Sequence, residues 1–275
     1  MVSNHGIARL QTLWQNGSTV ISQQYSQAPL QWLGPLERRA LCPVVYLRNP
    51  NGGLLAGDTH EIQVDLAAHT QLELRTQSAT RLHPGRCRQT LRLNLQPHSQ
   101  LVYLPHPLIP GAASHFQQMT TIQMDPSARL AYGEIWTAGR IGMGECWQFQ
   151  RLHSQMAVRL PSGAPWLWEA LDLGSVDDSQ SKRDVATLAT APSVLGSYLC
   201  WGSLYLLGNW PSVAWPCSAT QWSVTSPQPH YPGQVLRQVA DRAERIWQDF
   251  QSHLQALTKG SRYPATGSST IPPTD

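Results

Sequence analysis

Apolar and polar positions alternate along this chain in short runs that recur every 29 residues. Ile62, Val64, Leu66, Leu72 and Leu74 form one apolar set. A step of 29 leads to Leu91, Leu93, Leu95, Leu101 and Tyr103, and a second to Thr120, Ile122, Met124, Leu130 and Tyr132. Four of these five columns are apolar throughout, and the fifth slips once, to Thr120. In each set, two runs of period 2 flank a polar corner, at 67–71, 96–100 and 125–129. Period 2 predicts strands with one buried face. A fixed period of a few tens of residues predicts like units laid on one another. The expected fold is therefore mainly β, a stack of coils resembling a β-solenoid or β-helix.

The same reading extends outward from the repeat. Val158, Leu160, Trp166 and Trp168 match Ile122, Met124, Leu130 and Tyr132 at an offset of 36. That predicts a fourth coil after a seven-residue insertion (36 less 29), placed around 144–154. Residues 7–47 read as strands, with a hairpin at Asn16-Gly17. Residues 48–58 form a glycine-rich loop, 174–192 an exposed loop, and 193–224 further strands. Leu236, Val239, Ala243, Ile246, Trp247, Phe250, Leu254 and Leu257 recur in steps of three and four. This predicts an amphipathic helix over about 233–257, ended by Lys259-Gly260. The repeat meets no linker, so 1–260 is expected to be one domain. The Ser-, Thr-, Pro- and Gly-rich 261–275 is expected to be a disordered tail.

Composition narrows the function classes. Net charge is +3, and the 20 basic residues are scattered, two of them Lys and the rest Arg. No basic run exists to track a phosphate backbone, which argues against nucleic-acid binding. Five cysteines without a CxxC pair fit a reducing compartment better than a disulfide framework. The start lacks the basic and apolar regions of a signal peptide. The most apolar stretch, 194–207, is too short to span a bilayer. The expected location is the cytoplasm.

Catalytic signatures are missing. The segment from Gly52 to Thr59 nearly spells a phosphate-binding loop, but Asp58 holds the lysine position and would repel phosphate. The plainer reading is a tight turn between strands. No HExxH or GxSxG occurs. His69 and His98 share a corner one period apart and could stack. They read either as solvated corner residues or as a transient metal contact with no third ligand at Ser127. Glu134 continues the inward parity of Leu130 and Tyr132, an expensive place for a carboxylate. Arg129 or Arg140 pairs with it, or the interior opens to water there, or the strand ends first. Glu145 sits in a second glycine-rich turn. Glu169 has outward parity and reads as a surface charge.

Three segments together resemble the UreD family of urease accessory proteins, called UreH in some bacteria. The first is Asn49-Pro50-Asn51-Gly52-Gly53-Leu54-Leu55-Ala56-Gly57-Asp58, followed by Leu74-Arg75-Thr76-Gln77-Ser78-Ala79-Thr80-Arg81. The second is Tyr103-Leu104-Pro105-His106-Pro107-Leu108-Ile109-Pro110, and the third runs from Ala138-Gly139-Arg140 to Gly144-Glu145. Order and spacing agree over roughly residues 10–175. The resemblance implies a β-solenoid-like maturation factor with a pair of helices and no enzymatic activity of its own. Its implied partners are UreF, through it the GTPase UreG, and the urease apoprotein. It implies delivery of Ni²⁺ to the urease active site, with a water-filled passage as the proposed nickel route and no tightly bound cofactor. On that footing Asp58, Glu134, Glu145 and Glu169 are expected to line a nickel path. Trp247 and Phe250 on the helix, with Trp201 and Tyr205, are candidates for partner docking; the alternative is that they cover the core. A carbohydrate-processing enzyme on a β-helix would instead need paired carboxylates facing one groove. A purely structural solenoid would need more coils.

Overall fold

The computed structural model describes residues 5–39, 42–174, 195–211, 214–225 and 231–259. Most of the segment expected as an exposed loop, and the whole expected tail, lie outside the described residues. In chain order the strands are β1 (His5–Gln15), β2 (Ser18–Gln27), β3 (Gln31–Arg39), β4 (Cys42–Arg48), β5 (Gly53–Leu54), β6 (Thr59–Leu66), β7 (Gln71–Thr76), β8 (Thr80–Leu82) and β9 (Gly85–Leu95). They continue as β10 (Gln100–Tyr103), β11 (Leu108–Pro110), β12 (Ser114–Met124), β13 (Arg129–Thr137), β14 (Arg151–Arg159), β15 (Pro165–Gly174), β16 (Cys200–Leu207), β17 (Gln221–Thr225) and β18 (Gly233–Ala240). One helix, α1 (Ala243–Lys259), follows.

These strands make two large sheets. The first has the order β15-β14-β12-β9-β6-β1-β2; the second runs β17-β18-β16-β13-β10-β7-β4-β3. A short side ladder joins β5, β8 and β11 in parallel and reaches β13. The 29-residue period is the register of the parallel ladders. Ile62 pairs with Leu91 and Leu91 with Thr120; Leu72 pairs with Leu101 and Leu101 with Leu130. The inward sides of both sheets meet in one apolar cluster that includes Val64, Leu93, Ile122, Leu74 and Leu130. Even Thr120, the polar slip in its column, is only 1% exposed. The Asn16-Gly17 hairpin forms as expected, with Gln15 opposite Ser18 and both turn residues at positive φ.

Two expectations need correction. The 36-residue offset holds for β14 against β12, where Val158 pairs with Ile122. The fourth coil is not completed, however. The turn at 160–164, closed by the Leu160 N–H on the Ala164 carbonyl (2.9 Å), sends β15 back antiparallel along β14. Strand β13 meets β16, also antiparallel. The new register starts at Arg151, so the extra residues lie before it, around the 3₁₀ turn Ile141–Met143. The second correction concerns the helix. Its expected first part, 233–240, is the strand β18, held between β16 and β17. That strand is covered on both faces: Val235 joins the inter-sheet core, and Leu236 the cluster under α1. A strand buried on both sides loses its alternation, and here its apolar positions continued the helical spacing.

Helix α1 packs through Ile246, Phe250, Leu254 and Leu257, all buried against Ala131, Leu204, Leu206 and Leu236. The close approach depends on Gly202. A Cβ there would sit 2.7 Å from Ile246 Cγ2 and 3.1 Å from Phe250.

Candidate functional site: a polar ladder in the stack interior

A line of polar side chains interrupts the core. Two residues before Ile62, on the same inward side, stands His60. Its register partner is Gln89, whose partner is Gln118, whose partner is Ser154. His60, Gln118 and Ser154 are 1%, 2% and 4% exposed. With Gln89 they stand on four adjacent parallel strands, so the ladder runs along the axis of the stack. Its hydrogen bonds follow the same line. Gln89 Nε2 donates to Gln118 Oε1 (3.2 Å), and Gln118 Nε2 lies 3.4 Å from Ser154 Oγ.

The opposite sheet presents Glu134 to this ladder. Glu134 lies within β13, not beyond its end, and is 8% exposed. Its Oε1 accepts from Gln118 Nε2 at 2.7 Å and from the Tyr132 hydroxyl at 2.9 Å. Neither arginine considered for it is its partner: Arg140 binds Glu145, and Arg129 lies over the Trp210 ring at 5.3 Å. A cavity of about 60 Å³, lined by His60, Gln89, Gln118, Tyr103, Tyr132 and Glu134, opens beside the carboxylate. That is room for a few waters. Burial, only partly offset by the Tyr132 hydrogen bond and helped by the charge of Glu169, lifts the Glu134 pKa to about 7. Burial also drives His60 down to about 4, so the imidazole is neutral at pH 7. The interior thus holds an exchangeable proton on Glu134 and neutral donors and acceptors around it.

The other expected carboxylates fall in different places. Glu169 is turned inward on β15. The hairpin pairs Val158 with Leu167, so Trp168, 67% exposed, takes the outer side and Glu169 the inner. A shift of one residue exchanges the faces of a strand, which is why the outward parity failed. Arg237 Nη2 donates to Glu169 Oε2 at 2.6 Å. Asp58 is 2% exposed and closes a turn: Oδ2 accepts from the Leu55 N–H at 2.9 Å, and its own N–H donates to the Leu55 carbonyl. The loop that nearly spelled a phosphate site is therefore a turn feeding β6. Glu145 pairs with Arg140, its Oε2 accepting from Arg140 Nε at 2.8 Å, and the Ala112 N–H also points to it. The arginine holds its pKa below the usual carboxylate range. Glu134 and Glu169 therefore share one charge-coupled region, Asp58 acts on His60 at the other end of the ladder, and Glu145 lies apart with Arg140. No group of three or more His, Cys, Asp or Glu among the described residues is arranged to hold a metal ion.

The expected docking residues divide as well. Phe250 and Tyr205 are 0% and 1% exposed and pack the core. Trp201 is partly covered by stacking on Trp136 and Trp147, at 6.4 and 6.0 Å between ring centres. Trp247 is half-buried and stacks on His106 at 5.0 Å. His69 and His98 do stack, at 5.0 Å, in exposed corners. The sequence reading missed the ladder of His60, Gln89 and Gln118. The signal was present: these residues stand 29 apart, one strand step before the apolar columns.

These features define the class: a mainly β protein of stacked parallel strands with a polar ladder and a buried carboxylate in its interior. The comparison with known proteins is specific. The profile of the family described as "UreD urease accessory protein" matches residues 4–268, and the chain belongs to that family. It is 51% identical over 259 residues to urease accessory protein UreD 2 of Synechococcus sp. (strain JA-3-3Ab), covering 89% of this chain and 92% of the relative. It is 51% identical over 242 residues to urease accessory protein UreD of Synechococcus sp. (strain JA-2-3B'a(2-13)), covering 82% and 86%. Urease accessory protein UreH of Helicobacter hepaticus is 30% identical over 146 residues, 52% of this chain and 58% of the relative. Membership supports a role in urease maturation, as an accessory factor. No helix among the described residues is long and apolar enough to cross a membrane.

Proposed function

We propose that this chain is a short β-solenoid scaffold that binds UreF, through it the GTPase UreG, and apo-urease, and lets Ni²⁺ pass along its polar interior toward the urease active site. The supporting observation is Glu134: a buried carboxylate, fed by Gln118 and Tyr132, beside a small polar cavity inside an otherwise apolar stack. Burying such a group costs stability, so a use for it outside folding is the economical explanation. Nickel transfer needs oxygen ligands that bind weakly enough to release. One carboxylate with amide, hydroxyl and water neighbours meets that need better than a closed histidine or cysteine cage. The proposed route runs through Glu134 and Glu169, which share one region. Asp58 serves its turn and Glu145 its arginine. A carbohydrate-processing site fits less well, because Glu134 is enclosed and shares no open groove with a second carboxylate.

Glu134→Gln keeps the size and hydrogen-bond acceptor and removes the charge. In a nickel-dependent activation assay with apo-urease and the accessory partners, this variant is expected to lower activation about tenfold, the effect of losing one charged ligand in a low-dielectric path. Co-purification with UreF and apo-urease is expected to be unchanged. Normal activation by a folded Glu134→Gln protein would overturn the route.

A further inference from the structure

The polar interior ends at an arginine. Glu134 on β13, Ser203 on β16 and Arg237 on β18 are successive register partners. At about 4.8 Å per strand, the Cα atoms of Glu134 and Arg237 are roughly 10 Å apart. The Arg237 side chain binds in two directions. Its Nη1 donates to Ser203 Oγ at 2.7 Å, and its Nη2 donates to Glu169 Oε2 at 2.6 Å. Ser203 belongs to one sheet and Glu169 to the other, so the guanidinium bridges the two sheets at the end of the stack. The Arg237 and Glu169 side chains are 27% and 30% exposed, whereas Glu134 is enclosed. This is one end of the polar interior; the cavity beside Glu134 is bounded on another side by the exposed Gln77 and Ser78. Glu134 senses both charges: Glu169 raises its pKa and Arg237 lowers it.

A guanidinium does not lose its proton at any physiological pH. At this end Arg237 therefore stands as a fixed positive charge near the interior carboxylate, and it occupies Glu169, the more exposed of the two carboxylates. We propose that Arg237 is a gate for divalent cations. The Arg237–Glu169 ion pair is its closed state, and release of the guanidinium frees Glu169 to bind a cation on its way to or from Glu134. This inference rests on the cation route proposed above. It assigns to Arg237, which no motif singled out, the control of access. A partly exposed ion pair is a suitable latch, because solvent screening keeps such a pair weak enough to open.

The test uses the full-length chain and two readouts. The first is Ni²⁺ titration of the purified protein, followed by quenching of tryptophan fluorescence, since Trp168 neighbours Glu169 in sequence. The second is the activation assay at limiting nickel. Arg237→Gln is expected to bind Ni²⁺ about tenfold more tightly, as one repelling charge is removed, and to activate faster. Arg237→Lys, which retains the charge, stays closer to the parent protein. Adding Glu169→Gln to Arg237→Gln abolishes the gain. If Arg237→Gln folds poorly by circular dichroism, Arg237→Met, which retains the stem packing, replaces it and is expected to show the same sign. A folded Arg237→Gln or Arg237→Met protein that takes up Ni²⁺ no better than the parent overturns the gate. If Glu134→Gln is impaired in that same experiment, the route survives without the gate. Normal activation by Glu134→Gln removes both.

Discussion

Two buried titratable side chains line the same cavity and are shifted in opposite directions. Glu134 rises from 4.5 to about 7, and His60 falls from 6.5 to about 4. The consequences for stability have opposite signs. Between about pH 4.5 and 7 folded Glu134 holds a proton that the unfolded chain has released, so its contribution to stability falls as pH rises. Between about pH 4 and 6.5 the unfolded chain holds a proton on His60 that the folded protein lacks, so that contribution grows with pH. Each shift corresponds to about 3 kcal/mol, and over their shared window the two offset each other. Glu134→Gln is therefore expected to be steeper than the parent, gaining stability relative to it as pH rises from 5 to 8. His60→Gln is expected to gain relative to the parent as pH falls from 7 to 4.5. Urea denaturation at pH 5 and pH 8 checks both; parallel pH profiles for parent and variants would refute the linkage. Part of this site was legible beforehand. Parity marked Glu134 as inward, but the choice among an arginine, water and a strand end needed the facing sheet. The facing residue, Gln118, lies 16 positions away and bonds through its side chain. Its column was hidden because a search for apolar recurrence passes over polar ladders.

Periodicity located β6, β7, β9 and β12 well, because each has one buried and one polar or half-exposed side. It failed where that asymmetry ends. Strand β18 has the α1 layer on one side and the inter-sheet core on the other, so its apolar positions ran on into the helix without a visible break. Strand β15 was assigned the wrong face because a parallel fourth coil and an antiparallel return place Trp168 and Glu169 on opposite sides. The helix itself behaves as a cover. Phe250→Ala should cost about 3–5 kcal/mol as a core truncation. Gly202→Ala should cost about 1–3 kcal/mol, because the added methyl meets Ile246 at 2.7 Å. Trp247→Ala should cost less than Phe250→Ala, since Trp247 is half-exposed and stacks only partly, on His106. Equilibrium denaturation of the three variants orders these effects. A Trp247→Ala protein of near-parent stability that no longer co-purifies with its partner would mark this residue as a contact in its own right. Equal losses for Trp247 and Phe250 would make the whole apolar face structural.

At the scale of the whole molecule, the 29-residue recurrence is a constraint on register and not only on composition. In the parallel ladders Leu91, Leu93 and Leu95 sit between Ile62, Val64 and Leu66 on one side and Thr120, Ile122 and Met124 on the other. A single residue inserted between Thr90 and Leu91 would turn all three leucines to the outer side and bring Arg92 and Asn94 inward. The corner at 96–100 carries no such alternation. There His98 is exposed with φ of 59° and stacked on His69; Ser99 Oγ donates to the Gln96 carbonyl at 2.7 Å, and two bonds reach the neighbouring corners, His98 N–H to Ser127 Oγ and His69 N–H to the Pro97 carbonyl, both 3.0 Å. One residue inserted between Pro97 and His98 is therefore expected to cost about 2–4 kcal/mol, the loss of a ring stack and up to three hydrogen bonds, without turning any strand over. The strand insertion is expected to abolish cooperative unfolding. It also breaks the polar ladder, because the partners of Gln89 and Leu91 can no longer both be kept. Chemical denaturation followed by circular dichroism separates the two insertions. If the strand insertion unfolds with the same midpoint and slope as the corner insertion, the sheets tolerate slippage. An interior route that depends on His60, Gln89 and Gln118 lying in one file would then lose its structural basis.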